Sequence, residues 1–206
     1  SNYHYIIYEV LKSYNDLFLN KEINKNDSTN LGTLSVINEA FQYCYLNKKK
    51  TDTKFKNLID KQESDYSRYL FFRINNLIKN NDFQNVKKIS KSINVLESNL
   101  LIQQAKQWID NSNFNKFNEI FSCENESDIL AEFFFLISNF LSAEEDFQKS
   151  NFYSNLSIYL NPKFYFNLTH LLENYFENKN YAKTRKLLEN FKKEDEIYYW
   201  YKLKKI

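Results

Sequence analysis

Hydrophobic residues recur along most of this chain at intervals of three or four positions, the spacing that places side chains on one face of an α-helix. Short polar breaks separate the stretches that carry this pattern. The chain has 206 residues but only one Gly and one Pro, and tight β-hairpin turns depend on such residues. The pattern and the scarcity of turn residues together predict an all-α protein.

The polar breaks recur at a nearly constant interval. In four of them a segment rich in Asn, Asp or Glu is followed directly by an aromatic residue, namely Phe83, Phe114, Phe147 and Tyr181. Successive aromatic residues are 31, 33 and 34 positions apart. Because an amphipathic stretch lies on each side of every break, the period predicts helix–turn–helix units that stack into an α-solenoid.

The third unit, AEFFFLISNFLSAEEDFQKSNFYSNLSIYLNPKF at residues 131–164, resembles a tetratricopeptide repeat (TPR) of 34 residues. Ser138, Ser150 and Ser157 occupy the family's three small-residue positions, and Pro162 occupies its closing proline position. Apolar positions of the family are matched by Phe134, Ile137, Leu141 and Phe147. The chain resembles uncharacterised bacterial TPR-repeat proteins, and the resemblance implies an α-solenoid of antiparallel helix pairs.

Pro162 is the only proline of the chain, and it marks the end of this unit. Proline lacks the N–H that a helix interior needs, and it moves the preceding residue, Asn161, away from the helical conformation. We therefore expect the second helix of the unit to end before Pro162. We also expect Pro162 to lie in the first turn of the next helix, where a missing N–H costs nothing.

The repeat pattern divides the chain into two regions. Residues 1–63 contain helical segments, at about 3–18, 33–46 and 52–61, that show no convincing repeat signature. Residues 64–206 contain TPR-like units at about 67–97, 98–130, 131–164 and 165–196, followed by a partial unit at 197–206. The sequence contains no Met and ends within an apolar pattern, so we expect it to be an internal or processed piece of a longer protein.

Composition changes this picture only slightly. The chain carries 28 Lys and Arg against 26 Asp and Glu, and a formal net charge of +2 does not indicate a polyanionic partner. Aromatic residues make up 18%, and together with abundant Asn, Lys and Ile they indicate an AT-rich coding genome, so we interpret most of them as core residues. No stretch has the roughly 18 consecutive apolar residues of a membrane-spanning helix. For the compartment we favour the cytoplasm, with the periplasm as the alternative if the parent chain has a signal peptide.

The residue types that catalysis or metal binding would need are scarce. One Gly excludes both a glycine-rich phosphate loop and a Gly-x-Ser-x-Gly nucleophile motif. His170 and Glu173, one helical turn apart, supply at most two metal ligands, and Cys44 and Cys123 alone cannot complete a tetrahedral zinc site. A disulfide between the two cysteines does not follow from the sequence. We predict no catalytic residue, no metal and no cofactor, and hence a protein that is not an enzyme.

The TPR resemblance implies a scaffold for protein–protein interaction, in which a peptide or partner helix binds a concave groove lined by the first helices of the units. The polar residues of this chain at groove-facing positions are Arg68, Asn75, Lys79, Gln103, Lys106, Asn139, His170 and Glu173. Their cations would attract acidic or carboxylate groups, and their asparagines would hydrogen-bond a peptide backbone. Two alternatives stay open: a helical-repeat RNA binder, and the accessory arm of a larger enzyme whose catalytic part lies outside this chain.

Overall fold

The structure, a computed structural model, describes residues 2–23, 32–60 and 67–189. These residues form eleven α-helices and no strand, so the predicted all-α class is confirmed for the described part of the chain. The helices are α1 (Asn2–Asn20), α2 (Thr33–Tyr45), α3 (Thr51–Ile59), α4 (Ser67–Lys79), α5 (Phe83–Ser92), α6 (Leu100–Asp110), α7 (Asn115–Ile120), α8 (Glu126–Ala143), α9 (Phe147–Leu160), α10 (Phe166–Glu177) and α11 (Tyr181–Leu188). The predicted partial unit at 197–206 lies outside the described residues.

The four polar breaks of the sequence share one backbone turn. Each follows a helix that ends in a Schellman motif, where a residue with positive φ precedes an N–H that bonds back five residues. The positive-φ residues are Asn81, Ser112, Glu145 and Lys179, with φ from 55° to 59°. After α8, for example, the N–H of Asp146 donates to the carbonyl of Leu141 at 2.9 Å. The period read from the sequence is therefore the period of a helix pair with a fixed turn.

The same turn occurs in the region where the sequence showed no repeat signature. Asn47 has a φ of 48°, and the N–H of Lys48 donates to the carbonyl of Tyr43 at 3.0 Å. Asn47 lies 34 positions before Asn81, so the pair α2–α3 continues the spacing of the later pairs. The sequence did not reveal this turn because α3 begins after three lysines and has no side-chain cap, whereas the other breaks carry Asn or Asp.

Polar side chains cap the helices that follow three of these turns. Asp82, Asp146 and Asn180 each accept a hydrogen bond from the backbone N–H three residues further on, at 3.2 to 3.3 Å. Asn or Asp at this position satisfies one of the N–H groups that a helix start leaves without an intrahelical partner. A positive-φ residue followed by a capping residue is thus the physical origin of the Asn- and Asp-rich breaks.

The chain forms two compact units. Unit 1 comprises Ser1–Asn118 with Ser122–Glu126, and unit 2 comprises Glu119–Phe121 with Ser127–Ile206. The boundary predicted after residue 63 falls within 61–66, outside the described residues, and it stays a prediction.

Aromatic rings build the core of unit 1. The ring centroids of Phe41 in α2 and Phe72 in α4 are 5.1 Å apart, and those of Phe71 in α4 and Phe117 in α7 are 5.3 Å apart. All four side chains are at most 1% exposed. Phe117 lies where the TPR pattern predicts a small residue, and it is buried in this cluster instead. The interpretation of the aromatic residues as core residues holds for these positions.

Serine side chains fill the contact between α8 and α9 in unit 2. Ser138, Ser150 and Ser157, the three predicted small-residue positions, are 0% exposed. The Oγ of Ser138 donates to the carbonyl of Ser150, and the Oγ of Ser150 donates to the carbonyl of Ser138, both at 2.8 Å. The Oγ of Ser157 donates to the carbonyl of Ala131 at 2.6 Å. Small hydroxyl side chains therefore let these two helices approach closely without leaving polar groups unpaired.

The opposite face of α9 carries aromatic residues. Phe152 is 59% exposed and Tyr159 is 82% exposed, seven positions apart on the same helix. The interpretation of aromatic residues as core residues is wrong at these two positions. The physical reason is that serines line the inner face of α9. A bulky ring on that face would force α8 and α9 apart, so the rings lie on the outer face.

Pro162 ends the unit as expected but does not begin the next helix. Helix α9 stops at Leu160, and Asn161 has φ −135° and ψ 82°, outside the helical region. The expectation that Pro162 enters the first turn of the next helix is wrong, since α10 begins only at Phe166. The N–H of Phe164 instead donates to the carbonyl of Asn161 at 3.3 Å, so Pro162 takes the second position of a tight turn, which proline favours.

Candidate binding cleft

A cleft between α8 and α10 in unit 2 is the candidate functional site. Its volume is about 350 Å³. The residues that line it are Asn139, Ser142 and Ala143 from α8, and His170, Glu173, Asn174 and Glu177 from α10. Within each helix these residues are mostly three or four positions apart, which puts them on one helix face. The walls of the cleft are therefore facing sides of two first helices, from neighbouring helix pairs.

Three of the eight residues predicted for a groove lie together in this cleft: Asn139, His170 and Glu173. The sequence reasoning missed the other four lining residues, Ser142, Ala143, Asn174 and Glu177. The signal that points to Ser142 and Glu177 is helical spacing, because Ser142 follows Asn139 by three positions and Glu177 follows Glu173 by four.

Hydrogen bonds fix the floor of the cleft. The Oγ of Ser142 donates to Oδ1 of Asn174 at 2.5 Å, and Nδ2 of Asn174 donates to the Oγ of Ser150 at 2.6 Å. Asn174 is only 2% exposed, and Ser150 belongs to the serine contact between α8 and α9. The network therefore ties α10 to both helices of the preceding pair, so the cleft is held in shape before any ligand arrives.

Ring packing fixes one wall. The imidazole of His170 meets the ring of Phe135 edge to face, with centroids 5.4 Å apart and an interplanar angle of 67°. His170 is 8% exposed, so most of its surface is covered by protein. The side chain contributes a fixed surface to the cleft rather than a mobile group.

The charge of the cleft is negative. Among its seven lining residues the carboxylates of Glu173 and Glu177 are the charged groups when His170 is neutral, which gives a formal charge of −2. The two glutamates are four positions apart on α10 and face the same side. A cationic group of a ligand would gain favourable electrostatic energy here, whereas an anionic group would be repelled.

Two of the three predicted cations are paired with carboxylates of their own chain. Nζ of Lys79 lies 2.5 Å from Oε1 of Glu124, and Nζ of Lys106 lies 3.1 Å from Oδ2 of Asp110. Both lysines belong to unit 1, and neither lines the cleft.

The remaining predicted residues also belong to unit 1. Asn75 is 3% exposed and lies in the core rather than on a surface. Nε2 of Gln103 donates to the carbonyl of Ser98 at 2.8 Å. The guanidinium carbon of Arg68 lies 5.8 Å from the centre of the Phe72 ring, within the range of a cation–π contact. The structure thus places these three side chains in separate local environments.

Within residues 2–23, 32–60 and 67–189, no group of three or more His, Cys, Asp or Glu could hold a metal ion. None of the helices in those ranges is both long enough and apolar enough to cross a membrane.

Comparison of the chain with models of protein families, with curated proteins and with solved structures found no match. The TPR resemblance therefore depends on the residues and the turns described above.

Proposed function

We propose that this protein is an interaction scaffold of the TPR-like α-solenoid type, which binds a peptide or a partner helix in the cleft between α8 and α10. The cleft itself carries the proposal, because two neighbouring first helices present polar side chains around about 350 Å³. A volume of this size lies at the lower end of ligand pockets and suits a few side chains of an extended or helical partner.

The contacts of the first helices support a solenoid. In unit 1, Phe41 and Phe72 join α2 to α4, the first helices of successive pairs. In unit 2, Ser142 and Asn174 join α8 to α10 in the same way. Helical hairpins that stack with first helix against first helix generate the continuous concave surface that repeat proteins use for binding.

The chemistry of the cleft favours a basic partner segment. Glu177 offers an exposed carboxylate to a Lys or Arg side chain, Glu173 adds negative charge on the same helix face, and Asn139 adds an exposed amide that can donate and accept hydrogen bonds. The cations that the sequence suggested for an acidic partner belong to unit 1, and none of them is a lining residue of the cleft. The carboxylates of the cleft would also repel the phosphates of RNA, so the cleft lends no support to the RNA-binding alternative.

Peptide selection tests the proposal. A random peptide library displayed on phage is selected against the whole chain, and the recovered peptides are labelled and titrated by fluorescence polarisation. We expect enrichment of Lys and Arg at a defined position, and affinity that falls as salt is raised. A Glu173→Lys/Glu177→Lys variant should bind the selected peptides at least about tenfold more weakly, because two attractive charges become repulsive.

A matched control separates the cleft from net charge. Glu97 and Glu189 are exposed and lie outside the cleft, so Glu97→Lys/Glu189→Lys changes the charge equally without touching the lining. Equal weakening by both double variants would remove the cleft as the binding site. A labelled random RNA that shifts on a native gel with wild-type protein, together with failure to select any peptide, would favour the RNA-binding alternative.

A further inference from the structure

A disulfide joins the end of α2 to the link between α7 and α8. Cys44 and Cys123 are bonded although they lie 79 positions apart in the sequence. Both side chains are 3% exposed. Both residues belong to unit 1, so the bond closes a long loop within one compact unit.

Ionic and hydrogen-bonding contacts hold the same link. Oε1 of Glu124 lies 2.5 Å from Nζ of Lys79 in α4. Glu126 accepts a hydrogen bond from the hydroxyl of Tyr45 at 2.8 Å, and Lys21, just after α1, lies 3.5 Å from the same carboxylate. Residues 122–126 are therefore attached at three points to the surface formed by α1, α2 and α4.

The disulfide is the strongest of these attachments. Exposed ion pairs contribute little because water screens them, and the side chains of Lys21 and Glu126 are 56% and 51% exposed. Glu124 is 59% exposed as well. A covalent bond between two buried sulfurs is not screened, so its loss would weaken the attachment more than the loss of either ion pair.

We propose that the Cys44–Cys123 bond is a redox clasp, which forms in an oxidising compartment and keeps residues 122–126 on unit 1. Reducing compartments keep most protein thiols unpaired, whereas secretory and periplasmic spaces support disulfides. On this basis the chain works outside the cytosol, and a reductant releases the link while the rest of unit 1 stays folded.

The chemistry of the clasp is thiol–disulfide exchange. One cysteine thiolate attacks an oxidant that itself carries a disulfide, either glutathione disulfide or a protein disulfide, and forms a mixed disulfide. The second thiolate then attacks the cysteine sulfur and displaces the other half of the oxidant. The two protons lost by the protein thiols are taken up by the two leaving thiolates, so the two electrons leave with the oxidant as two thiols. A dithiol reductant runs the same steps in reverse, and we expect this to be slow because both cysteines are buried.

Alkylation and hydrogen exchange on the whole 206-residue chain test the proposal. The protein is equilibrated with glutathione and glutathione disulfide at the ratio of a secretory compartment, denatured, and alkylated. We expect no alkylated cysteine before reduction and two after it.

Native-state hydrogen exchange is then compared before and after the protein is treated with dithiothreitol. Exchange at the amide of Asn125, which donates to the carbonyl of Ser122 at 3.0 Å, should become at least about tenfold faster.

The amides of α4 and α9 serve as internal controls, and their exchange should change much less. The proposal would be overturned by alkylation of both cysteines before reduction, or by unchanged exchange at Asn125 after complete reduction. A loss of protection throughout α4 on reduction would also overturn it, because the bond would then support all of unit 1 rather than one link. A Cys44→Ser/Cys123→Ser variant should reproduce the reduced wild type, which separates release of the link from side effects of the reductant.

Discussion

Asp146 caps α9, the helix that follows one of the repeated turns. Its carboxylate accepts a hydrogen bond from the backbone N–H of Lys149 at 3.2 Å, and Nζ of Lys149 donates to it at 2.5 Å. The side-chain hydrogen bond and then the backbone hydrogen bond from Lys149 lower the pKa of Asp146 below its ordinary value of 3.8. The residue therefore caps α9 in its charged form.

The pH dependence of stability tests this charge. Because the pKa of Asp146 is lower in the folded chain, its carboxylate stabilises the fold above the ordinary value of 3.8. That contribution is lost as pH falls through the lower folded pKa. We expect wild type to unfold at a higher temperature than Asp146→Asn at pH 7, and at nearly the same temperature near pH 2. Thermal unfolding followed by circular dichroism across this range measures the difference.

Replacing the partner provides the control for this prediction. In a Lys149→Gln background the gap between Asp146 and its Asn variant should shrink at pH 7, since the charged hydrogen bond that lowers the pKa is gone. A gap of the same size at pH 2 and pH 7 would show that the charge of Asp146 does not matter to α9.

At the scale of helices, the sequence predicts those features whose causes are local. The repeated turn needs one residue with positive φ and a capping residue directly after it. This arrangement recurs at Asn81, Glu145 and Lys179. Two positions that are small in the TPR pattern hold the large residues Phe117 and Leu172 in this chain, and both side chains are buried. The sequence predicted helices at 33–46 and 52–61, where α2 and α3 lie, but it did not predict that they form a repeat pair. Lysines stand in place of the cap there, although the backbone turn is the same.

The serine contact between α8 and α9 yields a prediction about helix packing. In Ser150→Val a larger side chain enters a filled space, and Nδ2 of Asn174 loses the oxygen it bonds at 2.6 Å. Overpacking and a lost buried hydrogen bond each cost on the order of 1–3 kcal/mol, so we expect the free energy of unfolding to fall by about 2–4 kcal/mol. Urea unfolding followed by circular dichroism measures this change.

Gln148→Val is the matched control for that substitution. Gln148 lies two positions earlier on α9 but is exposed, so the same new side chain should change the free energy of unfolding by less than about 0.5 kcal/mol. Similar losses in the two variants would mean that β-branching in α9, rather than burial at Ser150, limits stability.

At the scale of the whole molecule, the sequence says least about contacts between distant segments. The Cys44–Cys123 bond spans 79 positions and has no local signal, because pairing depends on where the fold brings the two residues. The cleft was predictable in part: the groove-facing positions that the TPR resemblance implies include Asn139, His170 and Glu173, but the sequence alone cannot tell which helix faces meet a neighbour.

The two compact units predict which helices exchange hydrogen faster after a core substitution in unit 2. Unit 1 has its own aromatic core around Phe41 and Phe72, whereas the serine contact lies wholly in unit 2. We therefore expect Ser150→Val to speed hydrogen exchange in α8, α9 and α10 by a larger factor than in α2 and α4. Hydrogen exchange with peptide-level mass spectrometry measures both regions in one sample. Equal acceleration in the two units would indicate that the described helices unfold as one cooperative body.

The hairpin turns carry non-glycine residues at backbone positions that favour glycine. Their positive-φ residues are Asn47, Asn81, Ser112, Glu145 and Lys179, and none is glycine, although glycine adopts this conformation at the least cost. Glycine codons begin with a GG pair, whereas the codons for Asn and Lys begin with AA. The composition predicts an AT-rich gene, and such a gene favours Asn and Lys codons at positions where glycine would adopt the backbone conformation at less cost.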